Sequence, residues 1–330
     1  MKLDFSNRPV NIDSTFRCTL ECPRCLRQVI RNKGEKVPGQ DMPWGDFIKI
    51  TNYFKTIYFC GDISDPIFNP LLIDMLKYCY ENDIDVSVKT AASHKPISWY
   101  VDAFTANPDT HWTFGIDGLP KDSHKYRINQ DGVKLFNIIK MGQEDLHMKK
   151  LHWEYIVFKY NEDDIEKAKE LAKVNGIFLE VVQSGRWNLP IDELRPTNPE
   201  FFVRDHDNPG ITPITIPGKV YPKCLDKKEF TYSATGFIFP CCWYDDALMK
   251  IKIKSLSEDP LLKALNQEHL KVENNNTIED VVYSKEWINF FEELKTNPPN
   301  LCKKRCSEPL NKLYRYGRKG KETFNYRSII

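Results

Sequence analysis

Short apolar runs of strand length alternate with segments of helical periodicity through the first half of the chain. That alternation constrains the fold more than any other feature. Strands are expected at Val10–Asp13, Thr56–Cys60, Asp85–Thr90, Trp112–Asp117, Leu151–Phe158 and Ile177–Val182. The fifth carries apolar side chains at Leu151, Trp153, Tyr155 and Val157, the two-residue period of a strand with unlike faces. Leu71, Leu72, Met75, Leu76 and Cys79 instead recur every three or four residues, as one apolar helix face does. Ile165, Ala168, Leu171 and Ala172 recur the same way, with Asp163 and Asp164 suited to the positive N-terminal end. The pattern predicts an α/β fold, a parallel sheet with helices outside it. Six units make a partial (β/α)6 barrel, since a closed eight-unit barrel needs more residues.

The barrel domain is expected over residues 1–190. From Ser184 to Lys223 the periodicity stops, and Pro190, Pro196, Pro199, Pro209, Pro213, Pro217 and Pro222 mark a linker over 191–223. Residues 224–310 read as a small irregular α+β domain. It holds a hairpin in Phe230–Phe239 around Ala234-Thr235-Gly236, then an amphipathic helix bearing Trp287, Phe290, Phe291 and Leu294, N-capped by Ser284. The end of the chain, 311–330, is basic: Lys312, Arg315, Arg318, Lys319 and Lys321 follow Lys303, Lys304 and Arg305, with Tyr314, Tyr316 and Tyr326 interleaved. This reads as a solvated tail rather than a nucleic-acid contact.

A formal net charge of +1 argues against whole-molecule steering to nucleic acid or to a membrane surface. No signal-like apolar run opens the sequence and no stretch is suited to span a bilayer, so a cytoplasmic location without a membrane partner is expected. Thiols stay reduced there, and the ten cysteines then need an explanation other than disulfides. Eight of them cluster: Cys18, Cys22 and Cys25, then Cys224, Cys241, Cys242, Cys302 and Cys306. Such clustering indicates a metal or catalysis. Cys79 lies on an apolar helix face and Cys60 ends a strand, and both read as structural.

Cys18-Thr19-Leu20-Glu21-Cys22-Pro23-Arg24-Cys25 follows directly on the first strand. Three thiolates in one loop leave one iron of a four-iron cluster without a protein ligand, an open position for a substrate or cosubstrate. A zinc knuckle with a borrowed fourth ligand is the alternative, although no His or Cys lies close in sequence to complete it. The spacing, placed after a first strand, resembles the radical S-adenosylmethionine (SAM) superfamily. The resemblance implies that Cys18, Cys22 and Cys25 hold a [4Fe–4S] cluster whose open iron chelates SAM, with reductive cleavage giving a 5′-deoxyadenosyl radical.

Other marks follow in order. Gly61-Asp62-Ile63-Ser64-Asp65-Pro66 after the second strand resembles the Gly-Gly-Glu-Pro segment that holds the methionine amino group. Ser64 and Asp65 stand where Gly and Glu are usual. Thr90-Ala91-Ala92 ends the third strand where Thr-Asn-Gly is common. Phe114-Gly115-Ile116-Asp117-Gly118, with Arg127 beyond it, looks like the Ser-Ile-Asp-Gly … Arg stretch of members with an auxiliary cluster. By this resemblance Gly61, Ser64, Asp65, Thr90, Asp117 and Arg127 are cosubstrate-binding candidates, with Arg127 approaching the methionine carboxylate. A solvated helix-start charge is the other reading of Arg127.

Cys224, then Gly236-x4-Cys241-Cys242, then Cys302 and Cys306 resemble the SPASM and twitch extensions of the same superfamily. Five cysteines suit the single-cluster twitch arrangement, with Cys224, Cys241, Cys302 and Cys306 holding an auxiliary [4Fe–4S] cluster and Cys242 spare. A four-cysteine zinc ribbon is the alternative. Glu154, Lys159 and Arg186 lie at or beside strand ends and are further candidates for a site; the histidines show no ligand spacing. The expected function is hydrogen abstraction from a peptide or protein, with a flavodoxin or ferredoxin as electron donor. Two rivals stand beside it: the same chemistry on a sugar, aminocyclitol or nucleotide-like metabolite, and a non-catalytic zinc-binding protein.

Overall fold

The computed structural model describes residues 4–184, 192–201, 220, 222–225, 229–245, 259–306 and 322–324. Arg186, Pro190, Pro209, Pro213 and Pro217, and the basic tail apart from 322–324, lie outside the described residues. Contacts divide the chain into two compact units. One comprises residues 1–18, 29–86 and 215–310, and the other 19–28, 87–214 and 311–330.

The second unit carries strands β3 (Asp85–Thr90, from Ser87 on), β4 (His111–Gly115), β5 (Leu151–Ile156) and β6 (Phe178–Val182). They form a parallel ladder in which Val88 pairs with Trp112, Phe114 with Trp153, and Tyr155 with Val181. A short strand β9 (Glu322–Phe324) lies antiparallel along β6. Alternation sends Val88, Trp112, Phe114, Trp153 and Leu179 to one face. Helices α4 (Ile97–Ala106) and α5 (Gly132–Glu144) cover that face. Phe104 meets Trp112 at 5.3 Å between ring centroids and Phe136 meets Trp153 at 5.4 Å. Each such side chain contributes about 1.5–3 kcal/mol by leaving water. Gly142 lets α5 approach, because a Cβ there would stand 2.6 Å from Leu151. The opposite face is polar: Lys89, Thr113 and His152 lie in register, and Gly115, Glu154 and Glu180 form the next row. The two unlike faces of the fifth strand are therefore real, and the polar one includes Glu154.

In the first unit β1 (Pro9–Ile12) pairs parallel with β2 (Thr56–Phe59). On its other edge β1 pairs parallel with β7 (Phe230–Tyr232), the first arm of the expected hairpin; β8 (Ile238–Phe239) is the second. Gly236 turns the hairpin at φ +88°, a left-handed conformation that favours glycine. The segment expected as a separate small domain thus shares a unit with the N-terminal strands. An aromatic cluster joins them: Phe5 stacks near Phe230 (5.0 Å) and Phe291 (5.2 Å), and Phe230 near Trp287 (5.4 Å). Trp287 and Phe291 lie on α9 (Lys285–Thr296), capped as expected by the Ser284 hydroxyl, which accepts the Trp287 N–H. This unit also holds α2 (Trp44–Tyr53), α3 (Leu72–Glu81), α7 (Pro260–Leu265), α8 (Ile278–Val282) and α10 (Asn300–Cys306); α1 (Leu26–Asn32) spans the boundary and α6 (Ile165–Val174) belongs to the second unit. Cys79 is buried on α3, and desolvation pushes its thiol up to about 12. Among the described residues no helix is long and apolar enough to cross a membrane.

Candidate functional site

From Thr19 on, the first cysteine loop is braced within the second unit. The Arg24 guanidinium, between the two closely spaced cysteines, reaches Asp192 at 2.8 Å, and that carboxylate is fully buried. Thr19 shares a hydrogen bond with His94, Glu21 donates its N–H to the Ile128 carbonyl, and Asn129 donates to the Thr19 carbonyl. Cys25 donates its N–H to the Cys22 carbonyl, closing the turn that sets the two thiols. Cys22 is buried. Desolvation raises its thiol to about 11, against the opposing pull of the Arg127 cation. A buried thiol of this kind ionises only with a compensating positive charge, as a metal provides.

Arg127 is not a solvated charge. Its Nε lies 2.7 Å from Asp117 Oδ2, with the arginine nearly buried and the aspartate fully so. Burial disfavours the Arg127 cation, but Asp117, Cys22 and Glu154 outweigh it and hold the guanidinium firmly protonated. Asp117 is pushed up by desolvation, opposed by Arg127 and by the Ile156 N–H that its Oδ1 accepts at 2.9 Å. Gly115 supplies the room: a Cβ there would stand 2.7 Å from the Arg127 Nη2 and 3.0 Å from its Cζ. Gln130 knits the same region, donating to the Ala91 (2.5 Å) and Gly115 (2.8 Å) carbonyls. Thr90 is buried at the end of β3, opposite Phe114. Lys89 and Glu154 form a 2.6 Å ion pair on the polar face of the sheet. Lys159 donates its main-chain N–H to the Leu194 carbonyl.

In the first unit Gly61, Ser64 and Asp65 lie in the loop after β2. The Ser64 hydroxyl is directed to the buried carboxylate of Asp13. Asp65 donates its N–H to the Arg17 carbonyl, and its Oδ1 caps the short turn Pro66–Phe68 by accepting the Ile67 N–H. Asn69 donates to the Ser14 carbonyl (2.6 Å) and Arg17 to the Phe68 carbonyl (2.7 Å), so the loop is tied to the chain leading into the first cysteine. Asp13 was no candidate in the sequence. The available signal was a carboxylate closing an apolar strand just before the cysteines.

The second group of cysteines is also in the first unit. Cys302 and Cys306 stand four residues apart on α10 and therefore share a helix face. Cys224 feels both as electrostatic neighbours, and Cys241 feels Cys224 and Cys302. Desolvation raises Cys224 and Cys302 to about 12 and pushes Cys241 well above the ordinary thiol value. Cys241 also has Cys242 beside it, and the charged neighbours of Cys242 are Asp62, Glu229 and Asp245. The Tyr244 hydroxyl lies 2.6 Å from the Cys302 sulfur, and Arg8 donates to the Cys224 and Leu225 carbonyls. Among the described residues no three His, Cys, Asp or Glu side chains close on a single-ion site. A cubane cluster takes its thiolates at separate irons, so the fit of such a group rests on the sulfur-only donor sets and their desolvation.

No protein-family model matches the sequence, and no curated protein does. The α/β fold, parallel strands with helices, matches that of solved radical SAM enzymes. The anSMEcpe structure with AdoMet bound is similar at a TM-score of 0.56 and 13% identity, covering 95% of this chain and 88% of that one. SuiB from Streptococcus suis is similar at 0.53 and 12%, covering 80% of this chain; the chain spans just under two thirds (66%) of SuiB. SuiB bound to its precursor peptide SuiA gives 0.52 and 14%. At these identities the likeness is one of fold.

Proposed function

We propose that this chain is a radical SAM enzyme acting on a peptide or protein. The observation that carries the reading is the Cys18–Cys25 loop, whose buried Cys22 thiol lies in the field of the Arg127–Asp117 pair, in a fold shared with a protein solved with AdoMet bound. A [4Fe–4S] cluster on Cys18, Cys22 and Cys25, when it binds SAM and receives one electron, supplies a 5′-deoxyadenosyl radical that removes hydrogen from substrate.

The protein's own residues have distinct tasks in this reading. Arg24, His94 and Asn129 hold the cysteine loop in shape. Arg127, already engaged by Asp117, offers its remaining guanidinium N–H groups to the methionine carboxylate, and Thr90 and Asp117 line the same strand ends. Gly61, Ser64 and Asp65 form the loop for the methionine amino group. Cys224, Cys241, Cys302 and Cys306 hold a second [4Fe–4S] cluster of the twitch kind. The carboxylates Asp62, Glu229 and Asp245 around Cys242, where Cys241 has Cys224 and Cys302 as neighbours, support leaving Cys242 out of that set. A peptide substrate is favoured because SuiB was solved with a precursor peptide and anSMEcpe with the Cp18Cys peptide. A flavodoxin or ferredoxin is the proposed electron donor.

The test is anaerobic purification and reconstitution, iron and sulfide analysis, then 5′-deoxyadenosine production from SAM and dithionite. About eight irons per chain are expected from two cubanes, and Cys22→Ala should abolish 5′-deoxyadenosine. A colourless, zinc-loaded protein would overturn the reading.

A further inference from the structure

We infer that Asp13 is a positioning residue for the cosubstrate's amino group, acting through the 61–65 loop. The inference rests on the proposed role of that loop in holding the methionine ammonium. Asp13 follows β1 and is fully buried. Its Oδ2 accepts the main-chain N–H groups of Asp62 (3.2 Å) and Ile63 (3.3 Å), and its Oδ1 accepts the Ser64 hydroxyl. One carboxylate therefore gathers three donors from three consecutive residues. Successive N–H groups converging on one acceptor form a nest, and here the acceptor is a side chain of the protein itself.

The consequence lies in peptide geometry. In a trans peptide the N–H and the preceding C=O point in opposite directions. Turning the Asp62 and Ile63 N–H groups onto Asp13 therefore turns the Gly61 and Asp62 carbonyls away from it. Carbonyl oxygens aimed outward in this way are acceptors for an ammonium, which has only donors to offer. Gly61 is required for the same closure, since a Cβ there would stand 2.5 Å from the Ser64 carbonyl oxygen and hydroxyl and 2.8 Å from Asp13 Oδ1. Both carboxyl oxygens of Asp13 are used, and an amide offers only one acceptor oxygen. Burial and the negative neighbours Asp62 and Asp245 push this carboxyl up, opposed by the Ser64 hydroxyl and the Ile63 N–H that hydrogen-bond it. What Asp13 adds is direction: with the donors gathered on one side of the loop, the carbonyls are left on the other.

The experiment uses the full-length, anaerobically reconstituted protein and compares wild type with Asp13→Asn, Ser64→Ala and Gly61→Ala. Measured are iron content, the change in the reduced cluster's EPR spectrum on adding SAM, and the dissociation constants of SAM and of its deaminated analogue. For Asp13→Asn, SAM binding should weaken by about tenfold, the scale of one charge-assisted hydrogen bond. The effect should fall on KM rather than kcat, and the preference for SAM over the deaminated analogue should collapse toward one. Gly61→Ala should weaken SAM binding with Asp13 in place, and Ser64→Ala should do so to a smaller degree. A merely structural role would not move the discrimination between the two ligands. Should Asp13→Asn fail to fold, the Ser64 and Gly61 variants decide by the same ratio. Wild type that binds SAM beside variants that keep its full preference overturns the inference alone. Wild type whose spectrum ignores SAM overturns the proposed function itself.

Discussion

Replacing Arg127 with Met tests the buried pair that sets the field around Cys22. Methionine keeps the aliphatic stem and removes the cation, leaving Asp117 fully buried with the Ile156 N–H on Oδ1 and no guanidinium on Oδ2. Stranding one partner of a buried pair costs about 3–5 kcal/mol. Protonation of Asp117 caps that cost. Holding a carboxyl of ordinary value 3.8 neutral at pH 7 costs about 4 kcal/mol, at about 1.4 kcal/mol per pH unit. The sign follows from the direction of the shift. Asp117 is raised by burial even in wild type, so the stability tied to its protonated form is lost as pH rises through its folded value. Without Arg127, which opposes the rise, that window extends further up in pH. Urea unfolding at pH 7.5, 6.5 and 5.5 should therefore give a large Arg127→Met penalty that shrinks by up to about 1.4 kcal/mol per unit on acidification. Adding Asp117→Asn should recover much of the loss and remove the pH dependence. A penalty under about 1 kcal/mol, or one that does not change with pH, would show that the pair is solvated and refute the argument.

Three further outcomes are expected. Cys241→Ala should lower the iron content by about four per chain while Cys242→Ala leaves it intact, since the charged neighbours of Cys242 are Asp62, Glu229 and Asp245; iron and sulfide assays decide. Tyr244→Phe removes a hydroxyl at the Cys302 sulfur and should lower the reduction potential of the proposed second cluster, read by EPR-monitored titration, because donors to thiolates favour the reduced cluster. Trp287→Ala should cost about 3–5 kcal/mol. It should destabilise the same unfolding transition that Phe5→Ala does, because both side chains pack on Phe230.

Read alone, the sequence was sufficient for the features that local chemistry sets. Strand and helix periods placed all six strands of the first half within one or two residues, because alternation and helical spacing are properties of neighbouring residues. The hairpin at Gly236 and the cap at Ser284 were legible for the same reason: a left-handed turn and an orphan helix N–H each require particular residues nearby. The tertiary structure decided what depends on residues distant in the chain. β7 joins β1 across more than two hundred positions, and the packing of Phe5, Phe54 and Trp287 on Phe230 supports that edge. Cys241 has Cys224 and Cys302 among its electrostatic neighbours and Cys242 has Asp62, Glu229 and Asp245, a distinction no spacing carries. Asp13 looked like the end of a strand until three donors from the 61–65 loop closed on it, because a buried carboxylate draws its partners from wherever folding delivers them.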